Sequence, residues 1–110
     1  MSDWVTVGAA ADVPPGHAAL VEVDGTQVAV FNVAGEFYAV DDVCSHAEAS
    51  LSEGELDPEG CSIECPMHGS CFDLRTGEPL SLPAYDPIRV HRVEVVDGTL
   101  RVALDEAAVQ

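Results

Sequence analysis

Cys44-Ser45-His46 and, after residues 47–64, Cys65-Pro66-Met67-His68-Gly69-Ser70 decide how this chain folds and what it holds. Each cluster contributes one thiolate and one imidazole. Folding the two loops against each other would assemble a mixed two-Cys, two-His site, its sulfur suited to soft metals and its nitrogen to borderline ones. The pattern therefore predicts an iron or zinc protein with candidate ligands Cys44, His46, Cys65 and His68.

The sequence around the clusters is that of a β protein. Trp4 to Val7 reads as an opening strand, and Val13-Pro14-Pro15-Gly16 forces a turn. The runs Ala18 to Val23 and Gln27 to Val33 flank Asp24-Gly25, a two-residue hairpin signal, and Ala34-Gly35 leads into Glu36 to Val40. Ile88 to Val96 and Thr99 to Leu104 flank Asp97-Gly98 in the same way. Ile88 and Val90 are out of phase with Val93 and Val95, so a bulge near His91 and Arg92 is expected to bury both pairs. No segment sustains a 3.6-residue apolar period, which excludes a long helix. In the insert carrying the ligands, Cys61, Ile63 and Cys65 alternate with Ser62 and Glu64, and Cys71 to Leu74 is expected to pair with Glu78 to Leu82 across Arg75-Thr76-Gly77. Residues 105–110 read as a loose tail.

The paired motif Cys-x-His and Cys-x-x-His, with its His-Gly continuation, resembles the Rieske family, in which two Cys hold one iron of a 2Fe-2S cluster and two His hold the other. The resemblance extends over about Trp4 to Leu104 and implies an all-β fold: a Rieske-like antiparallel β-sandwich base, about residues 4–42 and 84–104, with a small β cluster-binding subdomain, about 43–83, in a single domain over 1–110. It also implies one Rieske-type 2Fe-2S cluster, with Cys44 and Cys65 on an inner iron and His46 and His68 on an outer, more accessible one. Leu82, Pro83 and Ala84 correspond to the family's proline loop; the plainer reading of Pro83 is a strand terminator.

Cys2His2 is also a common structural zinc set. Zinc spacings, however, usually pair Cys with Cys and His with His, whereas each cluster here mixes the two. A zinc-stabilised β adaptor is the alternative from a different functional class.

High-potential Rieske relatives carry an extra, disulfide-bridged Cys in each loop and a Ser and a Tyr that donate to cluster sulfur. The corresponding positions here are Ala49 and Met67 in place of the Cys pair, Ser70 retained, and Phe72 in place of Tyr. A low potential is expected, because hydrogen bonds to sulfur and solvent access set it. Ser70 is assigned either to the sulfur or to stabilising the turn after His68. Cys61 reads as a small core residue and Cys71 as a partly shielded thiol, while His17 and His91 read as ordinary surface or strand residues.

Composition narrows the function further. At 110 residues the chain accommodates one modest core and no separate substrate-binding domain. A net charge of −16, from 20 acids against 4 bases, repels nucleic acid and anionic membranes and favours a monomer. Half of the acids lie between Asp41 and Glu78, where Arg75 is the sole base; the segment serves solubility, docking to a basic partner, or both. No apolar run is long enough to span a bilayer and no leader-like start follows Met1, so a cytoplasmic location with reduced thiols is expected.

A Rieske centre has no open coordination position, and no acid, base or nucleophile array accompanies it here. The expectation is an electron carrier rather than an enzyme. The resemblance to small bacterial Rieske-type ferredoxins implies a flavin-dependent NAD(P)H reductase as donor and the terminal oxygenase of an aromatic-ring dioxygenase system as acceptor, each with a basic docking patch. The small Rieske-like subunit of a nitrite reductase is the alternative within the same fold.

Overall fold

The computed structural model describes residues 4–43, 50–66, 69–80 and 87–104. Among these residues nine strands form two antiparallel sheets: β1 (Val5–Ala9), β2 (Ala18–Val23), β3 (Thr26–Val33), β4 (Glu36–Asp41), β5 (Glu55–Asp57), β6 (Ser62–Glu64), β7 (Cys71–Asp73), β8 (Val90–Val96) and β9 (Thr99–Ala103). The larger sheet has the order β1-β9-β8-β4-β3-β2 and the smaller β5-β6-β7. Only two short 3-10 turns, Ala10–Asp12 and Leu51–Glu53, interrupt the β structure among the described residues, and none of these contains a helix long and apolar enough to cross a membrane.

Three tight turns set the registers. Asp24-Gly25, Ala34-Gly35 and Asp97-Gly98 each place both central residues at positive φ, at 50° and 83°, 54° and 95°, and 52° and 77°. That is the geometry whose twist matches the flanking strands, and Asp-Gly adopts it at little cost. Ala34 is the exception, since its methyl group is disfavoured in the left-handed region. Asn32 compensates: it is 4% exposed, its Oδ1 accepts the Gly35 N–H at 2.8 Å, and its Nδ2 donates to the Val13 carbonyl at 2.7 Å.

β3 is the spine. Val28 and Val30 point into one core with Val23, Ala39, Leu100 and Val102, while Ala29, Phe31 and Val33 point into another with Val40, Leu51, Ile63, Phe72 and Leu74. The strand is thus buried on both faces, which explains why its apolar run is continuous rather than alternating. β4 joins β8 through only Ala39↔His91 and Val40↔Val90, so the large sheet folds at this seam and lays β1-β9-β8 over the Val30 face of β3. The small sheet covers the Phe31 face. Fully burying a side chain such as Phe31 or Ile63 contributes about 1.5–3 kcal/mol, so the second core is the main attachment of the small sheet to the base.

The expected bulge at His91 and Arg92 does not form. β8 begins at Val90 and pairs with β9 in unbroken register from Arg92↔Ala103 to Val96↔Thr99. Ile88 and Val90 pack in the second core and Val93 in the first, because cores lie on both sides of the strand there; Val95 is left 46% exposed. The register shift lies instead in β1, between Thr6 and Gly8. Ile88 sits outside the strand, its N–H donating to the Gly77 carbonyl at 2.8 Å. The opening strand starts one residue after Trp4, whose ring lies under the guanidinium groups of Arg92 and Arg101. Residues 81 and 82 of the return strand expected after β7 lie outside the described residues; the rest pairs through the Phe72↔Pro79 bridge, with Asp73 N–H donating to Glu78 O at 2.9 Å and Leu80 N–H to Cys71 O at 2.6 Å.

Candidate metal centre

The second loop is built on the β6–β7 hairpin, where Ile63↔Phe72 and Glu64↔Cys71 set the register. Immediately beyond it the Cys65 N–H donates to Ser70 O at 2.7 Å, and the Gly69 N–H donates back to Cys65 O at 3.0 Å. Gly69 has φ +75°, a conformation that suits glycine and lets the chain reverse here. These bonds pin the neck of the loop and hold Cys65 in the second core, 1% exposed, among Leu51, Ile63, Phe72 and Leu74. Ser70, bonded to Cys65 across the neck, is fully buried and Pro66 is exposed; Met67 and His68 lie outside the described residues.

The first loop leaves the end of β4. Val43 and Ser50 form an antiparallel bridge across its neck, and Leu51, fully buried, packs in the same core as Cys65. Asp42, 1% exposed, ties both sides together: its Oδ2 accepts the Ser50 hydroxyl at 2.6 Å, its Oδ1 accepts the Ser52 N–H at 2.9 Å, and its carbonyl accepts the Leu51 N–H at 2.7 Å. Cys44, His46 and Ala49 lie outside the described residues, as do Leu82, Pro83 and Ala84. Of the four expected ligands, therefore, Cys65 is described directly. The necks of both loops converge on the core that holds Cys65, and a donor set of two thiolates and two imidazoles would suit an iron–sulfur centre.

The neighbouring polar groups are engaged in the scaffold. Asp41 bridges β4 to β8, its Oδ2 accepting Arg89 Nε and its Oδ1 accepting His91 Nε2, both at 2.8 Å. Burial opposes ionisation of Asp41, but the bonds from His91 and Arg89 outweigh it and hold its carboxyl below the usual value of 3.8. His91 is 4% exposed, so it is a buried strand residue and not a surface one; His17 is exposed. Cys61 is a core residue, as expected, at 6% exposure, and Cys71 is half-buried with its Sγ 3.8 Å from Gly69 O. A hydrogen bond with the Cys61 thiol, with a second to Glu36, pushes the Tyr38 hydroxyl up to about 12. Nothing in the local sequence distinguishes Asp41 or Asp42 from solvated acids; the one available signal was the position of both at the junction of a strand and a ligand loop.

The face of the small sheet is acidic. Glu55, Asp57 and Glu64 rim a shallow depression floored by Leu56, Ser62 and Cys71, and Glu55 lies directly opposite Glu64 across the β5–β6 ladder. Such a like-charged pair is unfavourable for stability. The chain's four bases do not offset it: Arg89 is bound to Asp41, Arg75 lies 3.6 Å from Asp73, Arg101 lies 3.4 Å from Glu94, and Arg92 shares the Trp4 ring with Arg101.

Comparison with known proteins agrees with this layout. The chain is 46% identical over 97 residues to the 3-phenylpropionate/cinnamic acid dioxygenase ferredoxin subunit of Escherichia coli K12, covering 88% of this chain and 90% of that protein. The ferredoxin of carbazole 1,9a-dioxygenase from Nocardioides aromaticivorans IC177 superposes with a TM-score of 0.90 at 38% identity, over 94% of this chain and all of the other. A ferredoxin solved in complex with the reduced oxygenase of carbazole 1,9a-dioxygenase gives 0.85 at 45% identity, over 94% of each chain. A protein assigned as the small subunit of an NADH-dependent nitrite reductase from Mycobacterium tuberculosis is more distant in sequence, at 29% identity and 0.82, over 93% and 95%. The Rieske [2Fe-2S] domain profile matches residues 3–96, and the chain belongs to that family, whose cofactor is one 2Fe-2S cluster.

Proposed function

We propose that this chain is the ferredoxin of a multicomponent dioxygenase system, carrying single electrons from a flavin-dependent NAD(P)H reductase to a terminal oxygenase that acts on an aromatic ring. When bound, the 2Fe-2S cluster supplies reversible one-electron chemistry. Cys44 and Cys65 would hold its inner iron and His46 and His68 its outer one. The observation that carries this reading is the burial of Cys65 at the pinned neck of its loop, on the core that also receives the neck of the first loop. A thiolate end set in the interior leaves the imidazole end as the side a partner reaches.

Sequence similarity to dioxygenase ferredoxins, at 38–46%, supports this role over that of a nitrite reductase subunit, at 29%. A zinc adaptor has no support from the family match. The acidic rim around Glu55, Asp57 and Glu64 supports docking to basic patches on both partners, since complementary charge speeds encounter and a small interface permits quick release. We read the chain as a monomeric single domain working in the cytoplasm, with a base of about residues 4–42 and 84–104 and a cluster-binding subdomain of about 43–83.

Anaerobically purified protein is expected to contain two iron and two acid-labile sulfide per chain and, after dithionite reduction, to give the electron paramagnetic resonance spectrum of a mixed Cys/His 2Fe-2S centre. Cys65→Ala is expected to abolish both. Stoichiometric zinc without sulfide would overturn the assignment.

A further inference from the structure

The first ligand loop leaves β4 through two adjacent aspartates with different partners. Asp41 bonds the Arg89 guanidinium and the His91 imidazole across the seam to β8. Asp42 is 1% exposed, and among the described residues the donors to its carboxylate are both neutral: the Ser50 hydroxyl and the Ser52 N–H. The same residue donates its N–H to Gln27 O at 3.0 Å and accepts the Leu51 N–H, while the Ser50 and Ser52 hydroxyls lie 2.9 Å apart.

A buried carboxylate with no counter-cation is costly, and an amide or an apolar residue would close a plain hairpin more cheaply. The backbone bridge Val43↔Ser50 already closes the neck. To the backbone bond from Leu51 the carboxylate adds two side-chain bonds, making a three-point attachment between the residue two before Cys44 and the segment that returns from the loop into the core at Leu51.

We propose that Asp42 is the positioning residue of the first ligand loop, fixing the points at which the chain enters and leaves residues 44–49 and so the placement of Cys44 and His46. This rests on the ligand assignment above. Residues that orient metal ligands from behind typically contribute about 10–100-fold in metal retention, and the effect should exceed what lost stability alone would produce.

The test uses the full chain with its cluster. Loss of visible absorbance under a chelator and the resonance g-values of the reduced protein are compared for Asp42→Ala, Asp42→Asn, Ser50→Ala and Val30→Ala. Val30 lies in the first core, on the opposite face of β3, and its variant controls for a general fall in Tm. Asp42→Ala is expected to lose its cluster at least about tenfold faster than wild type and to show altered g-values. Asp42→Asn keeps an oxygen for the Ser52 N–H and is expected to recover part of the loss. Val30→Ala is expected to keep wild-type g-values and lifetime.

A wild-type lifetime and spectrum in Asp42→Ala would overturn the proposal, as would equally fast loss from Val30→Ala. If Asp42→Ala does not accumulate folded, Ser50→Ala carries the test: it removes one donor and is expected to lose the cluster at an intermediate rate, and wild-type behaviour would refute the proposal. The ligand assignment fails separately, if Cys44→Ala retains two iron and two sulfide.

Discussion

Asp41 and His91 meet at 2.8 Å across the narrowest part of the large sheet, where β4 and β8 share only Ala39↔His91 and Val40↔Val90. With Arg89 on its other oxygen, Asp41 supplies side-chain bonds where the backbone ladder is short. Its folded carboxyl titrates below the unfolded value of 3.8, so its contribution is whole above that value and is lost as pH falls through the folded one. Asp41→Asn is expected to cost about 2 kcal/mol near neutral pH, from two charge-assisted hydrogen bonds, and to flatten the acid limb of the stability curve. Urea melts of both proteins from pH 7 to pH 3 measure this; parallel curves would contradict it.

Phe72 is fully buried between the small sheet and the base, directly opposite Ile63 in the β6–β7 register. Truncation to Ala leaves a cavity in the core that holds Cys65, and about 3–5 kcal/mol of stability should be lost. Thermal denaturation of the iron-loaded protein gives the size of the effect.

Ala34 occupies the left-handed region at φ 54° with a methyl side chain. Ala34→Asn or Ala34→Gly relieves that conformation and is expected to raise stability by about 0.5–1 kcal/mol without altering the visible spectrum. An unchanged or lowered Tm would show that the Asn32 bond to Gly35 already removes the penalty.

If His46 and His68 are ligands, the midpoint potential is expected to fall as pH rises through the alkaline range, because nearby metal charge would make their outer N–H protons more acidic in the oxidised state. With Ala49 and Met67 where high-potential relatives carry the extra Cys pair, and Phe72 where they carry Tyr, the potential is expected near about −150 mV, the lower end for Rieske centres. Redox titration at several pH values tests both points; a value well above zero, or one independent of alkaline pH, would count against them.

Electron delivery to reductase and oxygenase partners should slow with added salt, since ions screen the attraction of an acidic rim for basic surfaces beyond about 8 Å at physiological ionic strength. Stopped-flow rates across a salt series decide this, and flat rates would assign the charge of −16 to solubility alone.

The hairpins were legible in the sequence because each tight turn names its own geometry: Asp24-Gly25 and Asp97-Gly98 favour the positive φ values they adopt. The core role of Cys61 was legible from its alternation with Ile63. β5 was not, since Glu55-Leu56-Asp57 has one apolar residue and pairs only because β6 offers it an edge. The phase change in β8 was read as a bulge because a single strand does not reveal that both its faces will be covered. Asp41, Asp42 and His91 were hidden for the same reason: their partners Arg89, Ser50 and Ser52 are assigned by tertiary contact, up to 50 positions away along the chain. The family match identifies the cofactor as a 2Fe-2S cluster, while the conformations of Cys44, His46 and His68 fall outside the described residues.

Because Val30 serves one core and Phe31 the other, shifting β3 by a single position against β2 and β4 would turn each toward the wrong partner at once. Mis-threaded chains would thus lose the core that holds Cys65 together with the core behind it. A register fault in this strand is therefore expected to show as lost iron as well as lost stability.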